Sequence, residues 1–348
     1  TFQDLDNIEA SVSSYEEALV IKPNFAELHN NLGVIYQGIG EIDSARQHLE
    51  DAVRIMPEFV EAFNNLGNIY KELNLHERAI NCYKNAVAIN PDLADGYFNL
   101  GSVLQEQKQF DLAINSFEMA ISIDPNFSAA YFNIGNILQD LGQLDEAVQS
   151  YQKTLKIKQD NTEAYYELGL TFMQLGKLDA SIDSYKKALL INPNYGDVHN
   201  SLGNVFNQVG QLEEALLSYE KALSISPEYP EVYFNLGNLM LDLNQLDKAV
   251  ANYEYALKLK PGIDCNFGNL FHTKMHLCIW DDFSNNLEEL LKKINHNEKT
   301  ISPFALSALI DDAKIQLKNA VVFAKEKLPK NNILSKIKNY SNHKKIRI

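Results

Sequence analysis

The side chains best placed to do chemistry in this sequence are asparagine amides that recur every 34 residues. The segment EAFNNLGNIY at 61–70 places Asn64, Asn65 and Asn68 inside an otherwise amphipathic helical pattern. Asparagine costs a helix interior about 0.5–0.7 kcal/mol relative to alanine, because its side chain competes for backbone hydrogen bonds. The same placement returns in five further segments of the chain, so a requirement other than helix stability must account for it.

An amide side chain both donates and accepts hydrogen bonds, so it can pair with a peptide backbone whatever that peptide's sequence is. Each such bond contributes only about 0.5–1.5 kcal/mol net, so a row of them predicts broad, weak recognition of extended polypeptide. The alternative is that the amides are solvated or bond between adjacent repeats. We call the predicted peptide-binding residues the asparagine ladder: Asn31, Asn65, Asn68, Asn99, Asn133, Asn136, Asn204, Asn235, Asn238 and Asn269.

Other reactive side chains give no sign of a catalytic or metal site. His272 and His276 are four residues apart on one helical face, a spacing that can hold a metal. The glutamate of the H-E-x-x-H pattern and a third ligand are missing, so we interpret the pair as ordinary helix surface or core. Nucleophile motifs, a glycine-rich phosphate loop and paired carboxylates outside solvated helix faces are also missing. We predict no catalytic residue, no metal and no cofactor in this chain.

The charge and composition of the chain limit the classes of partner that it can bind. The net charge of −15 argues against a nucleic-acid ligand, which requires clustered Lys and Arg, and favours basic or neutral partners. The three cysteines form neither a disulfide framework nor a zinc spacing, which is typical of a reducing compartment. The sequence contains no apolar run of the length, about 18 residues, that a membrane span requires. We therefore predict a cytoplasmic protein with neither nucleic acid nor membrane among its partners.

The elements that must position the asparagines are marked by a second set of repeated residues. Prolines recur at intervals of 34 residues, or 68 where one is replaced by Gln159: Pro23, Pro57, Pro91, Pro125, Pro193, Pro227 and Pro261. We number repeat positions from the third residue after each proline, so that Val60 is position 1. Position 8 is then glycine in all seven repeats, and positions 20 and 27 are small in nearly all of them. Because glycine costs a helix about 1 kcal/mol, we expect a neighbouring helix to approach each glycine too closely for a side chain.

Helix ends have their own signals. We interpret Asn24, Asp92 and Asn194, each followed three residues later by an acid, as N-caps in capping boxes. Position 15 is glycine or asparagine in six repeats, as expected for the left-handed residue that ends a helix, whereas Lys108 departs from this rule. One such hairpin cannot bury enough apolar surface to offset its ordering entropy, so the repeats must stack.

The Leu-Gly pair at positions 7 and 8, the mostly aromatic residue at position 11 and the small residues at 20 and 27 resemble the tetratricopeptide repeat. The resemblance implies an all-α fold, a right-handed superhelical solenoid of stacked antiparallel helix pairs with extra C-terminal helices. It also implies that the first helix of each pair lines the concave surface of the solenoid, so that positions 2, 6, 9 and 13 of each repeat face a ligand. We predict a partial first repeat at 1–25, seven repeats at 26–263, a half repeat and helical connector at 264–335, and a basic tail at 336–348.

The region after Pro261 resembles the junction between repeats and catalytic region in the protein O-linked N-acetylglucosamine transferase (SPINDLY-like) family. The resemblance rests on the position-6 asparagines, the CIWDDF segment at 278–283, Ser302-Pro303-Phe304 with the acidic pair at 311–312, and the terminal Ile346-Arg347-Ile348. In that family a segment like the last one begins the first strand of a two-lobed transferase that uses a UDP-sugar. The family's pattern is broken by Glu167 and Ser201 at position 6.

Two functions remain open from the sequence. The resemblance implies an arm that recruits acceptor proteins for a protein O-glycosyltransferase of the UDP-GlcNAc type, with its catalytic lobes outside this chain. The alternative is a free-standing scaffold that assembles other proteins, in which 264–348 caps the repeats. Both expect extended polypeptide segments as partners, and both leave open a homodimer through the solenoid.

Overall fold

The computed structural model describes residues 2–327, and every regular element in that range is an α-helix. The chain divides into two compact units, Thr1–Ile191 and Asn192–Ile348. The first unit contains α1 (Phe2–Ile21), α2 (Ala26–Gly38), α3 (Ile42–Ile55), α4 (Val60–Glu72), α5 (His76–Ile89), α6 (Ala94–Glu106), α7 (Phe110–Ile123), α8 (Ser128–Asp140), α9 (Leu144–Ile157), α10 (Thr162–Gln174) and α11 (Leu178–Ile191). The second contains α12 (Gly196–Gln208), α13 (Leu212–Ile225), α14 (Pro230–Asp242), α15 (Leu246–Leu259), α16 (Asn266–His276), α17 (Phe283–Asn295), α18 (Pro303–Leu309) and α19 (Ala313–Lys327).

Within each unit, successive helices form hairpins. Each even-numbered helix from α2 to α14 packs on the helix that follows it, and the hairpins of a unit stack on one another. Each even-numbered helix from α2 to α14 contains positions 1–13 of a repeat and is called the first helix of that repeat below; its partner is the second helix. The prediction of an all-helical fold of stacked helix pairs is confirmed.

The glycine at position 8 lies directly under the side chain at position 24 of the same repeat. A Cβ atom built on Gly67 would be 2.5 Å from Cε1 of Tyr83, and one built on Gly101 would be 2.8 Å from Cε1 of Phe117. The rings at position 24 are fully buried, and real Cβ contacts essentially never come under 3.0 Å. The close helix approach expected from the sequence is therefore explained by a ring of the second helix that occupies the place of the missing side chain.

The first helices end where the sequence predicted. Position 15 has a positive φ in all seven repeats, including Lys108 at 56°. Lys108 departs from the pattern in residue type but not in conformation, since the backbone N–H groups at its turn still bond to helix carbonyls as in the other repeats. The left-handed turn is thus imposed by the hairpin and does not require glycine or asparagine.

The predicted capping boxes are wrong by one residue. The N-caps of α2, α6 and α12 are Phe25, Leu93 and Tyr195, and none of them makes a side-chain cap hydrogen bond. These apolar side chains are half-buried, so packing takes the place of capping. The one first helix whose repeat lacks the proline, α10, has a true cap, because Asn161 Oδ1 accepts a hydrogen bond from the Ala164 N–H at 2.9 Å.

The C-terminal helices form a separate apolar cluster. Its buried members come from α16, α17, α18 and the segment before α18, and they are Phe271, Leu290, Ile294, Ile301, Ala305 and Leu306. The half repeat and helical connector predicted at 264–335 contain α16, α17, α18 and α19 within the described residues. Among the described helices, none combines the length and apolarity that would let it cross a membrane. The predicted basic tail and strand start at 336–348 lie outside the described residues.

Candidate peptide-binding face

The ladder residues lie on the first helices and on α16, on the side opposite to the buried Leu and Gly of positions 7 and 8. We call the surface formed by positions 6, 9 and 13 within each unit the ladder face. Asn31 is exposed and the other nine ladder side chains are half-buried. The structure therefore leaves these amides within reach of solvent while holding them against their neighbours.

Three of the position-6 amides pair with position 5 of the preceding repeat. Asn65 Nδ2 donates to Asn30 Oδ1 at 3.0 Å, and Asn99 Nδ2 donates to Asn64 Oδ1 at the same distance. The second unit repeats the arrangement, with Asn235 Nδ2 donating to Asn200 Oδ1 at 2.9 Å. These bonds join adjacent repeats, as the alternative interpretation of the ladder required, and they fix the orientation of each amide.

The position-9 amides have a different partner, the hydroxyl of the buried tyrosine at position 24 of the same repeat. The tyrosine donors Tyr83, Tyr151, Tyr219 and Tyr253 bond at 2.7 or 2.8 Å to the Oδ1 atoms of Asn68, Asn136, Asn204 and Asn238. Burial raises the pKa of all four tyrosines well above the ordinary value, so the hydroxyls stay protonated and act as donors. Each bond ties the first helix of a hairpin to the second.

Asn133 differs from Asn65 and Asn99, the paired position-6 residues of the first unit. Position 5 of its preceding repeat is Phe98, which offers no amide, and within the described residues the Asn133 side chain makes no hydrogen bond. Asn133 instead borders a pocket of about 480 Å³ on the ladder face, together with Lys71, Glu106 and Asp140. This pocket is large enough to admit a ligand side chain beside the ladder.

The ladder is interrupted by the two residues that break its sequence pattern. Glu167 is half-buried, and desolvation together with the nearby charge of Asp140 raises the pKa of its carboxyl. Ser201 is buried, with 7% of its surface exposed, and so offers no group to a ligand. Beyond the last full repeat, Asn269 continues the ladder within the second unit by donating to Asn238 Oδ1 at 3.0 Å.

The ladder face carries acidic charge. Position 13 is acidic and exposed in four repeats, at Glu72, Glu106, Asp140 and Asp242, whereas positions 2, 6, 9 and 13 contain no Lys or Arg. The nearest lysine, Lys71 at position 12, is held by Glu106, with Nζ 3.1 Å from Oε1. The face is thus suited to a ligand that is neutral or basic.

Sequence reasoning missed the supporting residues of this face. It left position 5 out of the positions that face a ligand, although Asn30, Asn64 and Asn200 are the acceptors of the amide pairs. It also missed that all four repeats with asparagine at position 9 have tyrosine at position 24, whereas the repeat with Ser102 has Phe117. Both signals are readable by comparing the repeats with one another.

The histidine pair noted in the sequence is close in space. His272 Nε2 and His276 Nε2 are 3.4 Å apart on α16. Burial and the neighbouring His276 lower the pKa of His272. Across residues 2–327, no group of three or more His, Cys, Asp or Glu side chains could hold a metal ion.

Solved structures with this architecture are distant in sequence. The C-terminal part of a TPR repeat-containing protein from Cytophaga hutchinsonii has a TM-score of 0.58 at 17% identity, with 68% of this chain and 98% of that one covered. The Cut9-Hcn1 hetero-tetramer of APC/C has a TM-score of 0.54 at 16% identity, with 75% of this chain and 52% of that one covered. The pilF protein of Pseudomonas aeruginosa has a TM-score of 0.52 at 20% identity, with 59% of this chain and 93% of that one covered. These similarities establish the fold alone.

Comparison with protein-family models assigns the chain to a family. No match was found among curated protein sequences. A family model described as "TPR repeat" matches residues 2–40, 67–108, 135–176, 169–210 and 203–244, which together exceed half of the chain. Further models described as "Tetratricopeptide repeat" match 28–56, 94–127, 116–149 and 230–263. The chain belongs to the tetratricopeptide repeat family, whose repeats serve protein–protein interaction.

Proposed function

We propose that the ladder face binds extended segments of other proteins, with the position-6 asparagines bonding to the peptide backbone of the ligand. The observation that carries this proposal is the row of amide pairs between repeats. When Asn65 Nδ2 donates to Asn30 Oδ1, the Asn65 Oδ1 atom and the second N–H of each amide have no hydrogen-bond partner among the described residues, and both side chains are half-buried. A fixed acceptor and donor in successive repeats suit the alternating N–H and C=O groups of an extended chain.

The amide pairs also reduce the cost of binding. A free asparagine must give up side-chain rotamers when it bonds to a ligand, whereas one held by its neighbour has already lost them. Asn65, Asn99 and Asn235 are held in this way. The Asn133 pocket adds a place for one ligand side chain, and its two acids, Glu106 and Asp140, are balanced by Lys71 and Lys108.

The proposal is tested by the affinity of the full chain for a fluorescein-labelled extended peptide of Ser, Thr, Val and Lys residues. We expect a dissociation constant in the micromolar-to-millimolar range. The triple variant Asn65→Ala, Asn99→Ala and Asn133→Ala removes three amides, each worth about 0.5–1.5 kcal/mol, so we expect binding at least tenfold weaker. Asn85→Ala, which removes an exposed asparagine from the second helix α5, serves as the matched control.

Stability must be measured beside affinity, because two of the three substitutions also break bonds between repeats. Asn133→Ala breaks none in the described residues, so this single variant should weaken binding with an unchanged melting temperature. If the triple variant binds the peptide as tightly as the natural chain does, the ladder has no part in recognition.

A finer proposal is that this face recruits acceptor proteins for a protein O-glycosyltransferase that uses UDP-GlcNAc. Its support is the resemblance of the segment at 278–283, at which α17 begins. Trp280 in this segment is 55% exposed, although its ring packs on Phe283 at a centroid distance of 5.6 Å. An exposed tryptophan at the end of the described repeats provides a contact for a further domain. The alternative is a free-standing scaffold, which uses the same face.

The two are separated by an assay of the complete gene product. A transferase incubated with radiolabelled UDP-GlcNAc and a Ser/Thr-containing acceptor protein should transfer label to that protein. The triple ladder variant should transfer less label to the protein, whereas its transfer to a short free peptide should be unchanged. A complete gene product that transfers no label would reject the transferase and leave the scaffold.

A further inference from the structure

A second surface of the chain has the features of a binding site and lies on the opposite side of α6 from the ladder face. It is a groove of about 510 Å³ between the second helices α5 and α7, with α6 as its floor. Tyr97, Leu100 and Leu104 form the floor, and Leu112 and Met119 form one wall. Leu112 is 52% exposed and Met119 is 44% exposed, so the wall presents apolar surface to solvent.

In two other repeats a lysine partly covers the corresponding place. Position 26, where α7 has Met119, is Lys187 in α11, and its ammonium lies 5.8 Å from the ring centroid of Tyr165 at position 4. Lys153 covers Tyr131 in the same way at 5.2 Å. Position 19, where α7 has Leu112, is Ala180 in α11, and the cavity there is about 380 Å³. Two substitutions therefore distinguish an open apolar groove from a covered polar one.

The other wall of the groove carries one acid and one base. Glu77 and Lys84 both line it, seven residues apart on α5, which is about 10.5 Å along a helix axis. In the described part of the chain neither side chain forms an ion pair. A ligand helix presents residues i and i+7 on one face at this same separation, with its i+3 and i+4 side chains between them.

We propose that the α5–α7 groove is a second interaction surface, occupied by an amphipathic helix of a partner protein. The apolar face of that helix rests on Leu112, Met119 and Tyr97. One basic side chain of the ligand pairs with Glu77, and one acidic side chain two turns away pairs with Lys84. The site is independent of the ladder face and would let one chain hold two partners.

The test uses a stapled 15-residue helical peptide with Leu at i+3 and i+4, Glu at i and Lys at i+7. Two control peptides have the same apolar residues but two Glu or two Lys at the outer positions. By isothermal titration, the full chain should bind the mixed-charge peptide at micromolar concentration and each control at least threefold more weakly. Leu112→Ala with Met119→Lys, which installs the residue types found in α11, should weaken binding at least tenfold. Leu217→Ala, which removes an exposed leucine outside the groove, should leave it unchanged.

A charge reversal keeps the test decisive if the double variant does not fold. Glu77→Lys changes only an exposed side chain and leaves two bases on the groove wall, so the preference should switch to the two-Glu peptide. Equal affinity of all three peptides for the natural chain, or unchanged binding by the double variant, would overturn the proposal. So would a dimer of the natural chain in sedimentation that the double variant abolishes, because the groove would then be filled by a second copy.

Discussion

The ladder asparagines of this protein make two kinds of hydrogen bond, which their residue type alone does not distinguish. At position 9 the amide is the hydrogen-bond acceptor of a buried tyrosine, as in the Asn68–Tyr83 pair, and serves the hairpin. At position 6 the amides of Asn65, Asn99 and Asn235 bond to the preceding repeat, as in the Asn65–Asn30 pair, and we propose that their remaining groups bind a ligand. Helical spacing placed both sets on one face correctly, but it could not reveal that the hydroxyl of Tyr83 reaches across to that face.

The glycine at position 8 gives a prediction at the residue scale. Gly67→Ala would place a Cβ atom 2.5 Å from the ring of Tyr83, which is buried and cannot move freely. We expect the free energy of unfolding to fall by about 1–3 kcal/mol, as for other overpacked cores, when measured by urea titration. Gly38→Ala is the matched control, since nothing lies within 4 Å of its added Cβ atom. Equal stability of the two variants would show that the ring tolerates the methyl group.

At the scale of elements, the sequence located the helices well and their first residues less well. Proline spacing and the Leu-Gly pair predicted α2 to α15 because these signals come from packing that every repeat shares. The capping boxes failed because polar residues such as Asn24 precede the true cap by one position, where Phe25 packs against the hairpin instead. A cap is a local hydrogen bond, and at these helix starts burial of an apolar side chain takes its place.

The caps provide the prediction at this scale. Asn161→Ala removes the side chain that accepts from the Ala164 N–H, so α10 should lose about 1 kcal/mol of stability. Asn24→Ala alters the residue that the sequence pattern wrongly identified as a cap, and its loss should be within about 0.5 kcal/mol. Chemical denaturation of both variants checks this. A larger loss for Asn24→Ala than for Asn161→Ala would restore the sequence-based assignment.

At the scale of the molecule, one set of buried tyrosines recurs through both units. Tyr83 and Tyr151 belong to the first, and Tyr219 and Tyr253 belong to the second. A 34-residue period could be read from the sequence and so could the fold, because one hairpin is not stable alone. The partner could not be read in this way, because the period reports what the repeats share and a binding site depends on where they differ, as at Phe98, Glu167 and Met119.

The tyrosines predict an alkaline limit to stability. Burial raises the pKa of each above the ordinary value of 10.0, so the unfolded chain loses these protons before the folded one does. The unfolded state then binds fewer protons, and stability falls as pH rises, by up to about 1.4 kcal/mol per pH unit for each tyrosine. Urea titrations between about pH 9 and pH 11 should show this fall, with a smaller slope in Tyr151→Phe. A stability that is flat over this range would contradict the assigned burial.

The central claim is that the ladder face receives extended polypeptide. The most direct measurement follows the side-chain amide NMR signals of asparagines in the full chain during titration with the Ser, Thr, Val and Lys peptide. We predict that the signals of Asn65, Asn99 and Asn133 on the ladder face of the first unit shift together and saturably, while those of Asn81 and Asn115 in the α5–α7 groove stay in place. Saturable binding that leaves these three ladder signals unmoved would contradict the account.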